Sequence, residues 1–345
     1  MILALSKEMQ LRKSEITDSV ETIYFGGGTP SVLTFEEINF LIQEVYKNFQ
    51  VAQNIEITLE ANPDDLSNDR IIELSKSPIN RLSIGIQSFF EEDLQLMNRA
   101  HNAEEAKKSL AEATKYFDNI SIDLIYGIPG LTNEMWKQNI ETALSFGIPH
   151  ISSYALTVEP KTALKKLIQT GKISEPKDEV ASAHFQILVD TLQKNGFIHY
   201  ELSNFGKENY FSKNNSAYWL GKKYLGIGPS AHSYDGISRS WNIANNSIYL
   251  KGIQEEKLPS EVEILSQEDR YNEYIMTGLR TIWGISLDRI ENEFGEVFLN
   301  YLLKQAEKFL SDGLLSINDN ILKTTRKGKF LADGIASDLF RLSED

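Results

Sequence analysis

Strand-like and helix-like runs alternate without a break from Thr22 to Ala155, and this rhythm restricts the fold more than any other feature of the chain. Short segments rich in β-branched and aromatic residues fall at Thr22–Phe25, Ile55–Leu59, Arg81–Ile86, Ile120–Tyr126 and His150–Ala155. Between them lie runs of helical period: Phe35–Phe49, with Ile38, Leu41, Ile42 and Val45 on one face, then Asn68–Ser75, Ala103–Phe117 and Asn133–Phe146. Such an order predicts a parallel sheet with right-handed crossovers. Five strands are too few for a closed eight-stranded barrel, so the expectation is an α/β fold built on a partial, TIM-like (β/α) barrel, open at its first strand.

After Glu159-Pro160 the rhythm changes. A helical stretch, Val180–Lys194, leads into a Gly-, Asn- and Tyr-rich region, 197–246, read as an α+β unit. Beyond Gln267 helices return and are followed by GLLSINDNILKTTRKGKFL (313–331), a hairpin with an Asn-Asp-Asn turn. Helix, helix, hairpin suggests a winged-helix-like module. The expected divisions are residues 1–165, 166–262 and 263–345. No apolar run reaches the roughly 20 residues of a membrane helix, and the charged opening MILALSKEMQLRK lacks a signal-peptide core, which points to the cytoplasm. A net charge of −14 repels phosphate backbones and argues against nucleic acid as a partner. The chain has no cysteine, which rules out disulfides, thiol nucleophiles and thiolate metal ligands from within it. No resident metal is expected.

In parallel α/β barrels the ligand sits at the carboxyl ends of the strands. Here the first run ends in Gly26-Gly27-Gly28-Thr29-Pro30, where missing Cβ atoms let a ligand touch main-chain groups. The second ends at Glu60 in ITLEANP, the third at Gln87 in LSIGIQSF, the fourth carries Asp123 in SIDLIYGIPG, and the fifth ends at Ala155 in SSYAL. Singly, these are ordinary rim residues or turns. Together they place two carboxylates at one barrel mouth, which costs several kcal/mol unless a ligand's donors pair with them.

The set YFGGGTPS, ITLEANP, RLSIGIQSF, LMNRAH, SIDLIYGIPG and HYELSNF resembles the radical S-adenosylmethionine family of the oxygen-independent coproporphyrinogen III oxidases and their relatives, the heme chaperones. The resemblance implies that Gly26, Gly27, Gly28 and Thr29 receive the methionyl amino end of S-adenosylmethionine, with Glu60 pairing the cation. It implies further that Gln87, Arg99 and Asp123 surround the sulfonium, carboxylate and ribose, and that Ala155 lies against the adenine. In such proteins an iron–sulfur cluster reduces the cofactor to a deoxyadenosyl radical. The family's CxxxCxxC lies upstream of everything seen here. The chain is therefore expected to be a piece of a longer protein or to have a mis-assigned start, inactive alone, its [4Fe-4S] cluster belonging to the full-length form; a cluster-free paralogue is the alternative. The vacant edge of the first strand is expected to be covered by the helix at Met1 or by another molecule.

Heme chaperones of the family carry HNxxYW, and the matching stretch here is Asn214-Asn215-Ser216-Ala217-Tyr218-Trp219. Asn214 replaces the histidine, the usual iron ligand. Asn215, Tyr218 and Trp219, with His232 as a substitute ligand, are the candidate heme residues. The short chain lacks the extra amino-terminal segment of the oxidases, which favours a chaperone binding heme or porphyrin and S-adenosylmethionine, and serving a heme-acceptor protein. An oxidase acting by propionate decarboxylation, a cluster-free tetrapyrrole-binding or adaptor protein, and a phosphate-using barrel enzyme are the alternatives. Lys323, Arg326, Lys327 and Lys329 form the single short basic patch that an adaptor could use.

Overall fold

A computed structural model describes residues 1–160 and 162–342. It opens with α1 (Ile2–Leu11). Four βα units and a fifth strand follow. They are β1 (Val20–Phe25), α2 (Phe35–Asn48), β2 (Val51–Ala61), α3 (Asn68–Leu74), β3 (Arg81–Gln87), α4 (Glu91–Leu96), α5 (Ala103–Ala113), β4 (Ile120–Tyr126), α6 (Asn133–Ser145) and β5 (His150–Ala155). The five strands are mutually parallel and neighbour one another in chain order. Local chemistry sets where the helices begin. Thr34 with Glu37 and Asn102 with Glu105 form capping boxes, and Ser67 and Thr132 accept the first free N–H groups of α3 and α6.

Strands covered on both faces normally read as continuous apolar runs. These do not. Ile55, Ile57 and Leu59 of β2 are buried with Leu82, Ile84, Ile120, Ile122 and Ile151 against the helices, where Trp136 is fully enclosed. The alternate residues share the concave face. The register couples Thr22 to Glu56, Glu60 to Ser83, Ser83 to Ser121, Ser121 to His150 and Asp123 to Ser152. The inside of this partial barrel is thus polar, whereas a closed barrel fills its interior with apolar layers.

The sheet holds seven strands rather than the five parallel ones expected. After α7 (Ala163–Gln169) and α8 (Asp178–Lys194), the HYELSNF segment folds back as β6 (Ile198–Glu201) and β7 (Asn204–Gly206). β7 pairs antiparallel with β5, and β6 lies outside it. The sheet therefore runs past residue 165, where the first division was expected. A short turn hid these strands from the periodicity, because each is too brief to show a period of two.

The Gly-, Asn- and Tyr-rich region continues with α9 (Lys213–Trp219), β8 (His232–Tyr234), β9 (Ser238–Asn242), α10 (Asn246–Gln254) and β10 (Ser260–Ile264). The strands form a separate antiparallel sheet in the order β10-β9-β8. α1 does not lie along the edge of β1 as expected; it packs on α2 and α10. Its buried Glu8 draws it there, accepting from Gly228 N (2.8 Å), Asn242 Nδ2 (2.7 Å), Tyr249 OH (2.5 Å) and Arg12 (3.1 Å). α9 is the element that meets β1, through Thr22 Oγ1 and Asn214 Oδ1 at 3.1 Å.

The last module contains α11 (Gln267–Leu279), β11 (Ile285–Ser286), α12 (Leu287–Phe294), α13 (Glu296–Ser311), β12 (Leu315–Asn318), β13 (Ile321–Thr324) and α14 (Ala332–Leu339), with its own core around Tyr271, Ile290, Leu302 and Leu322. The expected hairpin is present. Its turn places Asp319 and Asn320 at φ 51° and 60°, the left-handed pair that a two-residue hairpin turn requires. Lys161 and residues 343–345, within the expected first and third divisions, lie outside the described residues. The module docks on the sheet, since Leu202 N donates to Arg280 O (2.8 Å) and Ile282 N to Tyr200 O (3.0 Å). Much of the basic patch is consumed internally: Arg326 pairs with Asp190, Lys327 donates to Asp312 O and Lys329 to His199 O.

Candidate functional site

The rim residues expected from the sequence meet at the carboxyl end of the concave face. Tyr24 OH donates to Glu60 Oε1 at 2.6 Å. A Cβ on Gly26 would stand 2.6 Å from the Tyr24 ring and 3.0 Å from the Glu60 carboxyl, so the first glycine is required by the protein's own side chains. Gly27 adopts φ +76°, and a Cβ on Gly27 or Gly28 would meet nothing within 4 Å. These two line open space. Thr29 beside them is exposed.

Gln87 ends β3 with φ 67°, an unusual conformation for a side-chain-bearing residue, where the β3–β4 register shifts. Buried hydrogen bonds hold the loop that follows. Ser88 Oγ donates to Asp93 (2.6 Å), Phe89 N to Asn139 Oδ1 (2.7 Å), and His101 Nε2 to Ile86 O (3.1 Å). Burial lowers the His101 pKa, which keeps the ring neutral and suited to this donor role. The loop returns Arg99 to the rim. Its Nη2 donates to Asn62 Oδ1 at 2.8 Å, while its buried Nε has no partner. A Cβ on Gly85 would lie 3.0 Å from the Gln87 amide and 3.4 Å from Arg99, which places both beside that glycine on the polar face.

Asp123 completes the group. Its carboxyl is pushed up to about 7, first by desolvation and then by the like charge of Glu60, against the opposing pull of Ser152, Arg81 and Arg99. Arg81 is buried below, bonded to Asn119. The polar interior therefore holds Glu56, Glu60, Asp123 and Glu201 against Arg81, Arg99 and Arg280.

Ala155 stands at the end of β5 in register with Tyr126, whose ring packs among the helices, so its Cβ belongs to the opposite face. The β5 residue on the polar face is Tyr154, whose hydroxyl feels Asp123, Glu201 and Glu60 and is held above its ordinary pKa chiefly by burial. Sequence reasoning missed Tyr24, Asn62 and Tyr154, although Tyr24 sits two residues from Gly26, Asn62 two from Glu60, and Tyr154 two from Ser152, the register partner of Asp123. A period of two was the available signal.

Beyond Tyr154 opens a second cavity of about 230 Å³. Asn215, Tyr218 and Trp219, spaced i, i+3 and i+4 on α9, supply one wall. Ser212 caps this short helix, and the Lys213 and Asn214 N–H groups donate to Glu56 at 3.1 and 3.0 Å. Glu201 and Arg280 line the cavity as well. Buried Glu201 accepts from Ser203 N (2.9 Å), Asn204 Nδ2 (2.6 Å) and Arg280 Nη2 (3.1 Å). Arg280 also lies 5.1 Å over the Trp219 ring and holds Asp333 through Nη1 at 2.6 and 2.8 Å. No local signal marked Arg280, which arrives from the last module. His232 does not join the group; it is exposed on β8, paired with Trp241 in register and ring contact. Asn214 is turned to Thr22 and does not line the cavity.

Comparison with known proteins agrees with this architecture. The model of the radical SAM superfamily matches residues 4–143, and that of the HemN C-terminal domain matches residues 265–331. The chain is 34% identical to the heme chaperone HemW of Lactococcus lactis, over 92% of this chain and 86% of that protein. It is 33% identical to HemW of Bacillus subtilis, over 92% and 84%. A mitochondrial radical S-adenosyl methionine domain-containing protein of Danio rerio is 30% identical over 97% and 79%. The coproporphyrinogen III oxidase HemN of Escherichia coli superposes with a TM-score of 0.83 at 24% identity, over 98% of this chain and 82% of that one, which establishes the common fold. On this evidence the chain belongs to the radical S-adenosylmethionine superfamily and, within it, to the HemW family.

Proposed function

We propose that this chain binds S-adenosylmethionine at the polar rim and heme beside it, and serves in heme delivery as a cytoplasmic heme chaperone. The observation that carries the reading is the convergence of Glu60, Gln87, Arg99 and Asp123 on one face beside an open glycine strip. The residues fit the cofactor. Its sulfonium and ammonium call for carboxylates, which Glu60 and Asp123 would supply, and its carboxylate calls for a guanidinium, which Arg99 would supply. Glu60 and Asp123 would hold its cationic groups or ribose diol, and the unpartnered Arg99 Nε would meet its carboxylate. When bound and reduced, such a cofactor supplies a deoxyadenosyl radical; the chain's own part is to orient it and to exclude water.

An iron–sulfur cluster does not fit the residues present. The sequence has no cysteine, and among the described residues no group of three or more His, Cys, Asp or Glu is arranged for a metal ion. Among the described residues no helix is long and apolar enough to cross a membrane. The relatives named heme chaperone favour that role over an oxidase, for which the 24% likeness speaks only to fold.

Calorimetric titration with S-adenosylmethionine and with S-adenosylhomocysteine, which lacks the sulfonium charge, tests the rim. Binding of the charged cofactor at least tenfold tighter than the neutral one is expected, and equal affinity would refute the charge match. A Soret shift on adding hemin, saturating at one equivalent, tests the heme reading.

A further inference from the structure

The cavity beyond Tyr154 is too small for a macrocycle. Its 230 Å³ falls below the roughly 300–1,000 Å³ of pockets that enclose a drug-sized ligand. It has the size of a ligand's side arm. Its chemistry is one-sided as well. Arg280 is the single cation among its lining residues, and the neutral lining groups Tyr154, Asn215 and Tyr218 all carry hydrogen-bond donors. The one lining carboxylate, Glu201, is already saturated by Ser203 N, Asn204 Nδ2 and Arg280. A saturated carboxylate offers no free acceptor to an incoming group.

From this we infer that the cavity receives a carboxylate-bearing arm of the ligand, and that Arg280 is its anchor. The inference rests on the heme reading and deepens it: the arm is a propionate, with the macrocycle lying outside across Tyr218, which is 44% exposed. The guanidinium is oriented for this task. Nε and Nη2 are tied to Glu201, the Trp219 ring supports its face, and Nη1 is held only by Asp333, which is more than half exposed. An exposed surface pair contributes little and exchanges readily. The ligand carboxylate takes over the share of Arg280 that Asp333 now holds. Because Arg280 comes from the last module and Glu201 from the sheet, a bound arm also tightens the contact between the two.

The test compares hemin with hemin dimethyl ester, in which both propionates are neutral, by Soret titration in one buffer. Hemin is expected to bind about tenfold tighter than the ester, the scale of one charge-assisted pair. Arg280→Gln should remove that difference by weakening hemin alone. Asp333→Asn, at a half-exposed position, should tighten hemin several-fold and leave the ester unchanged. Equal affinity of hemin and ester in the wild type overturns the anchor while leaving the heme reading intact. Absence of a Soret shift with either compound overturns both. Should Arg280→Gln not fold, judged by its thermal melt, Asp333→Asn decides alone, and an unchanged hemin affinity in that variant refutes the inference.

Discussion

Replacing Asp123 by Asn should stabilise the ligand-free protein at pH 8 and impair binding of S-adenosylmethionine. The carboxyl stands at about 7 in the fold against 3.8 for a free side chain, a gap of roughly three units or about 4 kcal/mol. Asp123 faces an open mouth, and solvent screening brings the usable part to about 1–2 kcal/mol. The sign follows from the direction of the shift. A carboxyl whose folded pKa is raised binds its proton more tightly when folded, so its contribution is most favourable below pH 4 and is lost as pH rises towards 7. The asparagine has no charge to lose. Urea melts should therefore coincide for the two proteins near pH 4 and diverge by about 1–2 kcal/mol at pH 8, the variant being the more stable. Binding runs the other way. A cationic ligand needs Asp123 ionised, so wild-type affinity should rise with pH as the carboxyl ionises and level off above 7, whereas the variant is weak and flat. Parallel melting curves at all pH values, or a wild-type affinity without pH dependence, would refute the reasoning.

Glu8→Ala leaves buried Tyr249 OH and Gly228 N without their acceptor and takes one of the buried partners from Arg12 and from Asn242, and calorimetry should show a loss of about 3–5 kcal/mol. At Gly226 an added Cβ would lie 2.1 Å from the His232 carbonyl oxygen, so Gly226→Ala should cost at least about 1–3 kcal/mol in a chemical melt and disturb the β8–β9–β10 sheet. Asn62→Ala should weaken S-adenosylmethionine binding about three- to tenfold with little change in melting temperature, because it leaves Arg99 Nη2 with only a long 3.5 Å contact to Gly85 O among the described residues; an unchanged dissociation constant would show that Arg99 needs no orientation. In Asn139→Ala the loop after β3 loses the acceptor for Phe89 N, and a stability loss of about 1–3 kcal/mol should accompany weaker cofactor binding by titration.

The parallel strands and their helices were legible because each carries its cause locally: β-branched runs, apolar stripes at helical spacing, and caps such as Thr34 with Glu37. The rim was legible for a related reason. Residues that end successive parallel strands must meet at one end of the sheet, so Glu60, Gln87 and Asp123 could be grouped before any coordinate was known. The turn at Asp319-Asn320 declared itself through residue types that tolerate positive φ.

Other features depended on contacts between distant segments, for which a local pattern carries no signal. The added strand β7 takes its sheet position from pairing with β5, more than 50 residues earlier in the chain by the Ser152–Asn204 and Ile151–Phe205 partners, and β6 takes its own from β7. α1 lies on α10 rather than on β1 because a buried carboxylate at Glu8 finds its donors at Gly228, Asn242 and Tyr249. Arg280 reaches the cavity because residues 280–282 run along β6, and nothing within the last module foretells it. The sequence by itself determined which segments are strand or helix and which end of the sheet carries the chemistry, since propensity and strand direction are properties of short stretches. Tertiary structure decided which charges meet, which of the three glycines faces protein and which faces open space, and where the second cavity lies, because those depend on side chains brought together from several elements at once.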